Sequence, residues 1–224
     1  MILRRFFFAI SLLLLLSLSS CFQLIEEITM KNDGSGDMQI TLNLSQSKSK
    51  LASIMLLDSV NGHKIPKEKE IEKFMDETVD FLKKSDGISN IKKSVDLKNY
   101  IASVSFSFND LTKVNGITKR LLDKQKVEAP ENLYSFDKTA KEFKRVYKYS
   151  PTMKTAFNKL NAKDRDIFRS AAYTSIFRFQ NAIASSSNKL SKISPSGKAI
   201  MLNTAAMELI YGAVNISNNI QLTR

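Results

Sequence analysis

One cysteine, one histidine and no tryptophan occur in the 224 residues of this chain, and the first two scarcities exclude a good deal of chemistry. A lone Cys21 can close no disulfide within the chain, so the folded part must be held by packing. The single histidine, His63, falls in a loop beside Gly62 and Pro66, and it lacks the second histidine or free thiol that a histidine-based metal site or triad would need. We read it as an exposed loop residue. Long apolar runs are also missing: the stretch from Phe6 to Leu16 is shorter than the ~20 residues that a bilayer core requires. The absence of tryptophan carries little weight.

That short apolar run has a definite context. Met1 to Arg5 is basic, Phe6 to Leu16 is apolar, and Leu18-Ser19-Ser20-Cys21 closes the segment with small residues. The order is that of a secretory signal, so residues 1–20 are expected to be removed. The tetrad ending in Cys21 resembles the lipobox of bacterial lipoproteins. The resemblance implies a diacylglycerol on the Cys21 thiol, cleavage before it, and acylation (palmitate) of the new amino terminus. Two or more chains anchor a protein stably, at about 0.8 kcal/mol per buried methylene. Phe22 stands where an inner-membrane retention signal would have aspartate, and no acidic cluster follows Cys21. Both features favour the outer membrane, facing the periplasm.

The remaining 204 residues suit one domain, or two small ones. Two of the 34 basic residues, Arg4 and Arg5, belong to the signal, which leaves a formal charge of +10 on the rest. A basic balance favours anionic partners. For a tethered chain, anionic lipid headgroups need the fewest assumptions. An envelope protein is the other partner considered, and no nucleic acid is expected.

Strand signals begin almost at the anchor. Leu24 to Met30 reads as a strand, and Met38, Ile40, Leu42 and Leu44 alternate with polar residues after Asp33-Gly34-Ser35-Gly36, predicting a hairpin. Helices are predicted from Gln46 to Asp58 and from Lys67 to Lys84, the latter with Ile71, Phe74, Met75 and Leu82 near one face. Strands are expected from Ile88 to Leu97 and from Tyr100 to Phe108, turning at Lys98-Asn99. Asn109 would cap a helix reaching about Lys126, and Pro130 marks a break. A second hairpin is placed at Leu133–Asp137 and Glu142–Tyr149, followed by helices from Pro151 and from Lys163. Tyr173 to Phe179 is a strand, and Ser185 to Asn188 is either a turn or part of a polar strand paired to it. Pro195-Ser196-Gly197 turns into Ala199–Leu202, Asn203 would cap a helix from Thr204 to Tyr211, and Ile216 to Leu222 closes the chain as a strand.

Motifs for chemistry are few. Asn32 to Asp37 offers oxygen ligands but lacks the spacing and closing glutamate of a calcium loop, and its glycines suit a hairpin turn. Carboxylate-pair hydrolysis through Glu26, Glu27, Asp33 or Asp37 remains as an alternative. Lys138, Lys141, Lys144, Arg145 and Lys148 interleave with aromatics and form the candidate anion-facing surface, of which Lys141, Lys144, Arg145 and Lys148 are the chosen residues. Strand parity qualifies this choice: Lys144 and Lys148 share a face with Val146, whereas Arg145 shares the other with Phe143, Tyr147 and Tyr149.

The run Glu26-Glu27-Ile28 to Gly36, Ser105 to Leu111 and the serine- and lysine-rich Asn188 to Gly197 together look similar to uncharacterised lipoproteins of the Bacteroidota. That resemblance implies an envelope lipoprotein and transfers no catalytic residue. The expectation is therefore an α+β domain over 21–224: antiparallel hairpins joined by helices on one sheet face, with the option of two lobes meeting at 127–131. The expected role is non-enzymatic binding or scaffolding near the membrane, with no metal and no cofactor. A carboxylate-dependent envelope hydrolase is the alternative.

Overall fold

The computed structural model describes residues 22–60, 62–117 and 131–224. Cys21, the His63 side chain, most of the segment 127–131 and the expected helix beyond Ile117 lie outside the described residues.

The first hairpin joins β1 (Gln23–Met30) to β2 (Gly36–Asn43), turning where Gly34 takes φ +85°. Helix α1 (Lys48–Ile54) follows a 3-10 turn at Ser45–Ser47, and a small hairpin pairs β3 (Ser59–Val60) with β4 (His63–Lys64). Helix α2 (Glu68–Lys83) precedes the hairpin of β5 (Ile88–Asp96) and β6 (Ile101–Phe108). After the undescribed segment come β7 (Glu131–Asp137), β8 (Glu142–Lys148), and helices α3 (Pro151–Lys159) and α4 (Ala162–Arg169). The chain finishes with β9 (Ala172–Phe179), β10 (Ile183–Ser186), β11 (Lys192–Ile193), β12 (Ala199–Ala205), α5 (Ala206–Ile210) and β13 (Asn218–Leu222).

These strands form an α+β fold with a seven-stranded sheet ordered β11-β12-β9-β1-β2-β6-β5 and a four-stranded sheet ordered β10-β13-β8-β7. All ladders are antiparallel except β1 with β9, which run parallel with Gln23 opposite Ala172. The inner face of the large sheet carries Ile28, Met30, Met38, Val104, Phe106, Phe108, Phe177 and Phe179, all buried. Alternation puts these side chains on one face, because successive residues of a strand point to opposite sides. The small sheet packs against them: Phe143 of β8 lies 4.8 Å from Phe177 and 5.4 Å from Phe179, ring centre to ring centre. Helix α2 covers the β5 and β6 side of the same core with Met75 and Leu82, while Phe74 is 43% exposed. One core cluster thus contains residues from both sides of the 127–131 segment.

Several local expectations are revised. The helix expected over 46–58 is confined to α1, which buries no residue and has no side-chain cap, so packing gives it nothing to extend along. Asp110, not Asn109, caps the next turn: its carboxylate accepts from Thr112 N at 2.9 Å, and a 3-10 turn spans Leu111–Val114. Asn203 caps no helix. It stays in β12 opposite Thr174 and donates to that residue's Oγ1 at 2.7 Å, so α5 starts only at Ala206. Ser185 and Ser186 pair with β13 of the small sheet. Their turn is organised by buried Asn218, whose Oδ1 accepts from Ser186 Oγ at 2.9 Å and from Asn188 N at 3.1 Å.

Candidate functional site

Along β1, Leu24, Glu26, Ile28 and Met30 share the inner face, so strand parity carries a carboxylate into the space between the sheets. Glu26 is 7% exposed there. From the small sheet, the parity of β8 sends Phe143, Arg145 and Tyr147 to meet it. The Arg145 side chain is fully buried, with Nη2 at 3.7 Å from Glu26 Oε2.

Two phenols complete the group. Tyr173 Oη donates to Glu26 Oε2 at 2.5 Å and Tyr134 Oη donates to Glu26 Oε1, so both carboxylate oxygens are occupied. Arg145 donates from Nη2 to Tyr173 Oη at 2.6 Å and from Nε to Asn132 Oδ1 at 3.1 Å. Its guanidinium also sits 5.3 Å from the centre of the Tyr173 ring and 5.8 Å from that of Phe177, within cation–π range. Among the described residues, two buried side-chain atoms are left without a partner, Arg145 Nη1 and Tyr147 Oη. Such orphans are uncommon, since an unsatisfied buried donor costs about 1–3 kcal/mol.

Burial dominates the ionisation of the phenols, pushing Tyr134 and Tyr173 well above the ordinary tyrosine value despite the opposing charge of Arg145; the nearby Glu26 adds to the rise. Tyr147 is raised mainly by burial too. For Arg145, burial works against the charged form, but Tyr134, Tyr173 and Glu26 more than offset it and hold the guanidinium above its ordinary value. The phenols therefore keep their protons, and the guanidinium its charge, at neutral pH.

Arg145 and Tyr147 line a cavity of about 260 Å³ whose other walls are mostly apolar. Phe22, Leu24 and Ala172 come from the Gln23 end of the large sheet, Met153 from α3, Phe168 from α4, and Leu209 and Ile210 from α5. Phe22 is fixed in place: its carbonyl accepts from Ala172 N at 3.0 Å, and its ring packs edge-on against Phe168 at 5.6 Å. The cavity therefore starts one residue after Cys21 in the sequence.

The chosen basic residues divide. Lys148 lies on the surface and pairs with Glu131 at 3.0 Å, and half-buried Lys144 lies 3.7 Å from Glu142. Lys141 is half-buried in the β7–β8 turn with φ +57°. Arg145 leaves this surface altogether and must be removed from any anion-facing patch, because its strand parity is that of the core. The candidate carboxylates divide likewise. Glu26 is enclosed as described, and Asp33 accepts from Ser35 N at 2.9 Å within the first hairpin turn. Glu27 and Asp37 line a groove on the outer face of the large sheet, where Arg178 Nη1 donates to Glu27 at 2.8 Å and Ser107 Oγ donates to Asp37 at 2.6 Å. Tyr134 and Asn132 were missed as site residues. Nothing local marks Tyr134, whose partner Glu26 is 108 residues away, and Asn132 gains its role only because its partner across the hairpin, Arg145, is buried.

Among the described residues no helix is long and apolar enough to cross a membrane. No family model matches the chain, and no curated protein matches it in sequence. Among solved structures, the NMR structure of the folded domain of the Mycobacterium tuberculosis LppM protein is similar at 11% identity, with a TM-score of 0.44, covering 91% of this chain and 90% of that one.

Two measurements test the network. Arg145→Met should destabilise the protein by roughly 3–5 kcal/mol, because Glu26 would stay buried without its counter-charge; Arg145→Met combined with Glu26→Leu should recover most of that loss. Urea unfolding of both variants checks this, and independent, additive losses would contradict the pairing. The raised tyrosines give a second test. Below the ordinary tyrosine pKa of about 10 both folded and unfolded states keep these protons, and above it only the unfolded state releases them. Stability should fall from about pH 10 upwards, by up to roughly 1.4 kcal/mol per pH unit for each such tyrosine. Denaturation midpoints between pH 8 and 11 would show it, and a flat profile would count against burial of the phenols.

Proposed function

We propose that this is a lipid-anchored envelope protein, held through Cys21 on the periplasmic face of the outer membrane, whose folded domain binds a small apolar molecule and performs no chemistry on it. The cavity beside Phe22 carries this reading: it is apolar-walled, about 260 Å³, and its one carboxylate, Glu26, has both oxygens engaged. A group so occupied serves poorly as a general base, and apolar walls with a few polar groups are the usual make-up of a small-molecule site. Proximity to the bilayer supports the same view. Only Phe22 separates Cys21 from Gln23, and the two residue steps reach at most roughly 7 Å, so acyl groups on Cys21 would hold the Gln23 end close to the lipid. The excursion through α1 also leaves the sheet at that end and exposes Leu56 by 85% and Leu57 by 49%, in a segment that carries Lys48, Lys50, Lys64 and Lys67.

One observation favours the hydrolase alternative. Glu27 and Asp37 share the outer groove of about 600 Å³ and are diagonal neighbours, since Glu27 faces Gln39 and Asp37 faces Thr29. Diagonal pairs stand roughly 7–8 Å apart, within the ~6.5–9.5 Å spacing of inverting glycosidases. Their engagement with Arg178 and Ser107 argues for structural roles instead.

Membrane partition tests the anchor: wild type should sediment with the envelope and Cys21→Ala should move to the soluble fraction, whereas wild-type levels of the variant in the membrane would defeat the reading. Activity tests the alternative. The purified protein should release no product from envelope polysaccharide, and turnover that Asp37→Asn and Glu27→Gln each abolish would replace binding with hydrolysis.

A further inference from the structure

The buried group between the sheets is unbalanced in a way that specifies a ligand. Its acceptors are already engaged: both Glu26 oxygens receive phenolic hydrogens and Asn132 Oδ1 receives Arg145 Nε. Among the described residues Arg145 Nη1, which can only donate, and Tyr147 Oη, which can donate or accept, have no partner, and both residues line the cavity. A fitting occupant brings an acceptor, which the guanidinium Nη1 requires. Charge narrows the choice further. Glu26 already balances Arg145, so a carboxylate head would add an uncompensated buried anion and an ammonium head would face a guanidinium.

We propose that the cavity takes a carboxylic ester of an acyl chain, the ester oxygens accepting hydrogen bonds from Arg145 Nη1 and Tyr147 Oη while the chain lies among Phe22, Leu24, Met153 and Leu209. The inference rests on the binding role proposed above and assigns the chemical class of what is bound. The volume fits a modest length of chain, on the order of nine water-sized groups at ~30 Å³ each. Two sources of such an ester are at hand, a glyceride of the surrounding bilayer and the diacylglycerol expected on Cys21, which precedes Phe22 by a single peptide bond.

Displacement of the neutral apolar dye N-phenyl-1-naphthylamine from the full chain carrying Cys21→Ala tests this. Methyl octanoate should displace the dye at a concentration at least about ten-fold below that needed for octanoate or octylamine at pH 8. Tyr147→Phe, which keeps the ring and removes the unmatched hydroxyl, should weaken the ester about five-fold while the melting temperature of the ligand-free protein stays at or above that of the parent. Absence of dye binding would defeat the cavity-binding role itself. Dye binding with equal displacement by the three compounds, or an ester preference untouched by Tyr147→Phe, would overturn the ester assignment alone. The acylated wild-type chain assayed alongside separates the sources: lower dye uptake than Cys21→Ala assigns the site to the chain's own ester, and equal uptake assigns it to bilayer lipid.

Discussion

A salt bridge enclosed between two sheets is the constraint around which this molecule is arranged. Glu26 lies on β1, in the middle of the seven-stranded sheet, and Arg145 on β8 of the other sheet. Neither could remain charged alone in that environment, and a buried pair is tolerated when hydrogen bonds fill its remaining valences. Tyr134, Tyr173 and Asn132 supply those bonds from three further strand or strand-edge positions. The two sheets are therefore docked by a polar group of defined geometry as well as by the phenylalanine cluster around Phe143.

The same group ties β1 to its register. Glu26 and Glu27 are adjacent, so a one-residue slip would offer Arg145 a different glutamate and the ion pair alone could not distinguish the two. The apolar neighbours decide. With Glu26 inward, Ile28 and Met30 are buried at 0% and 1% exposure; with Glu27 inward, Thr29 would take a core position and Ile28 would face out. Hydrophobic alternation thus selects the register, and the ion pair gains its partner as a consequence. Glu27 then falls on the outer face, where it meets Arg178 in a polar groove.

Where the polar group ends, the cavity begins. Toward Phe143 the space between the sheets is filled by rings, whereas toward Phe22 it is bordered by helices α3, α4 and α5, which close the Gln23 end less completely. Arg145 and Tyr147 stand at this transition with donors to spare. The lining includes Phe22, the residue that follows the expected anchor in the sequence, and this joins the two parts of the functional reading.

Local patterns carried much of this. Alternation from Leu24 to Met30, Met38 to Leu42 and Ala102 to Phe108 disclosed three adjacent strands and their inner faces, because period two is a direct consequence of the pleat. Parity along β8 had already grouped Arg145 with Phe143 and Tyr147, so its burial was legible even where charge suggested a surface. What stayed hidden was pairing at long range. No local signal says that β1 runs parallel to β9, about 150 residues later, or that Asn203 continues a strand because β9 offers it Thr174. By itself the sequence determined most of the longer strands, their faces, the scarcity of nucleophiles and the candidate lipid anchor, all of which depend on neighbouring residues or composition, whereas the short strands β3, β4 and β11 gave no such signal. Only the tertiary structure decided that Glu26, Tyr134, Arg145 and Tyr173 meet, and that two donors beside them go unmatched, because hydrogen-bond partners and enclosed space are properties of packed sheets and not of any one segment.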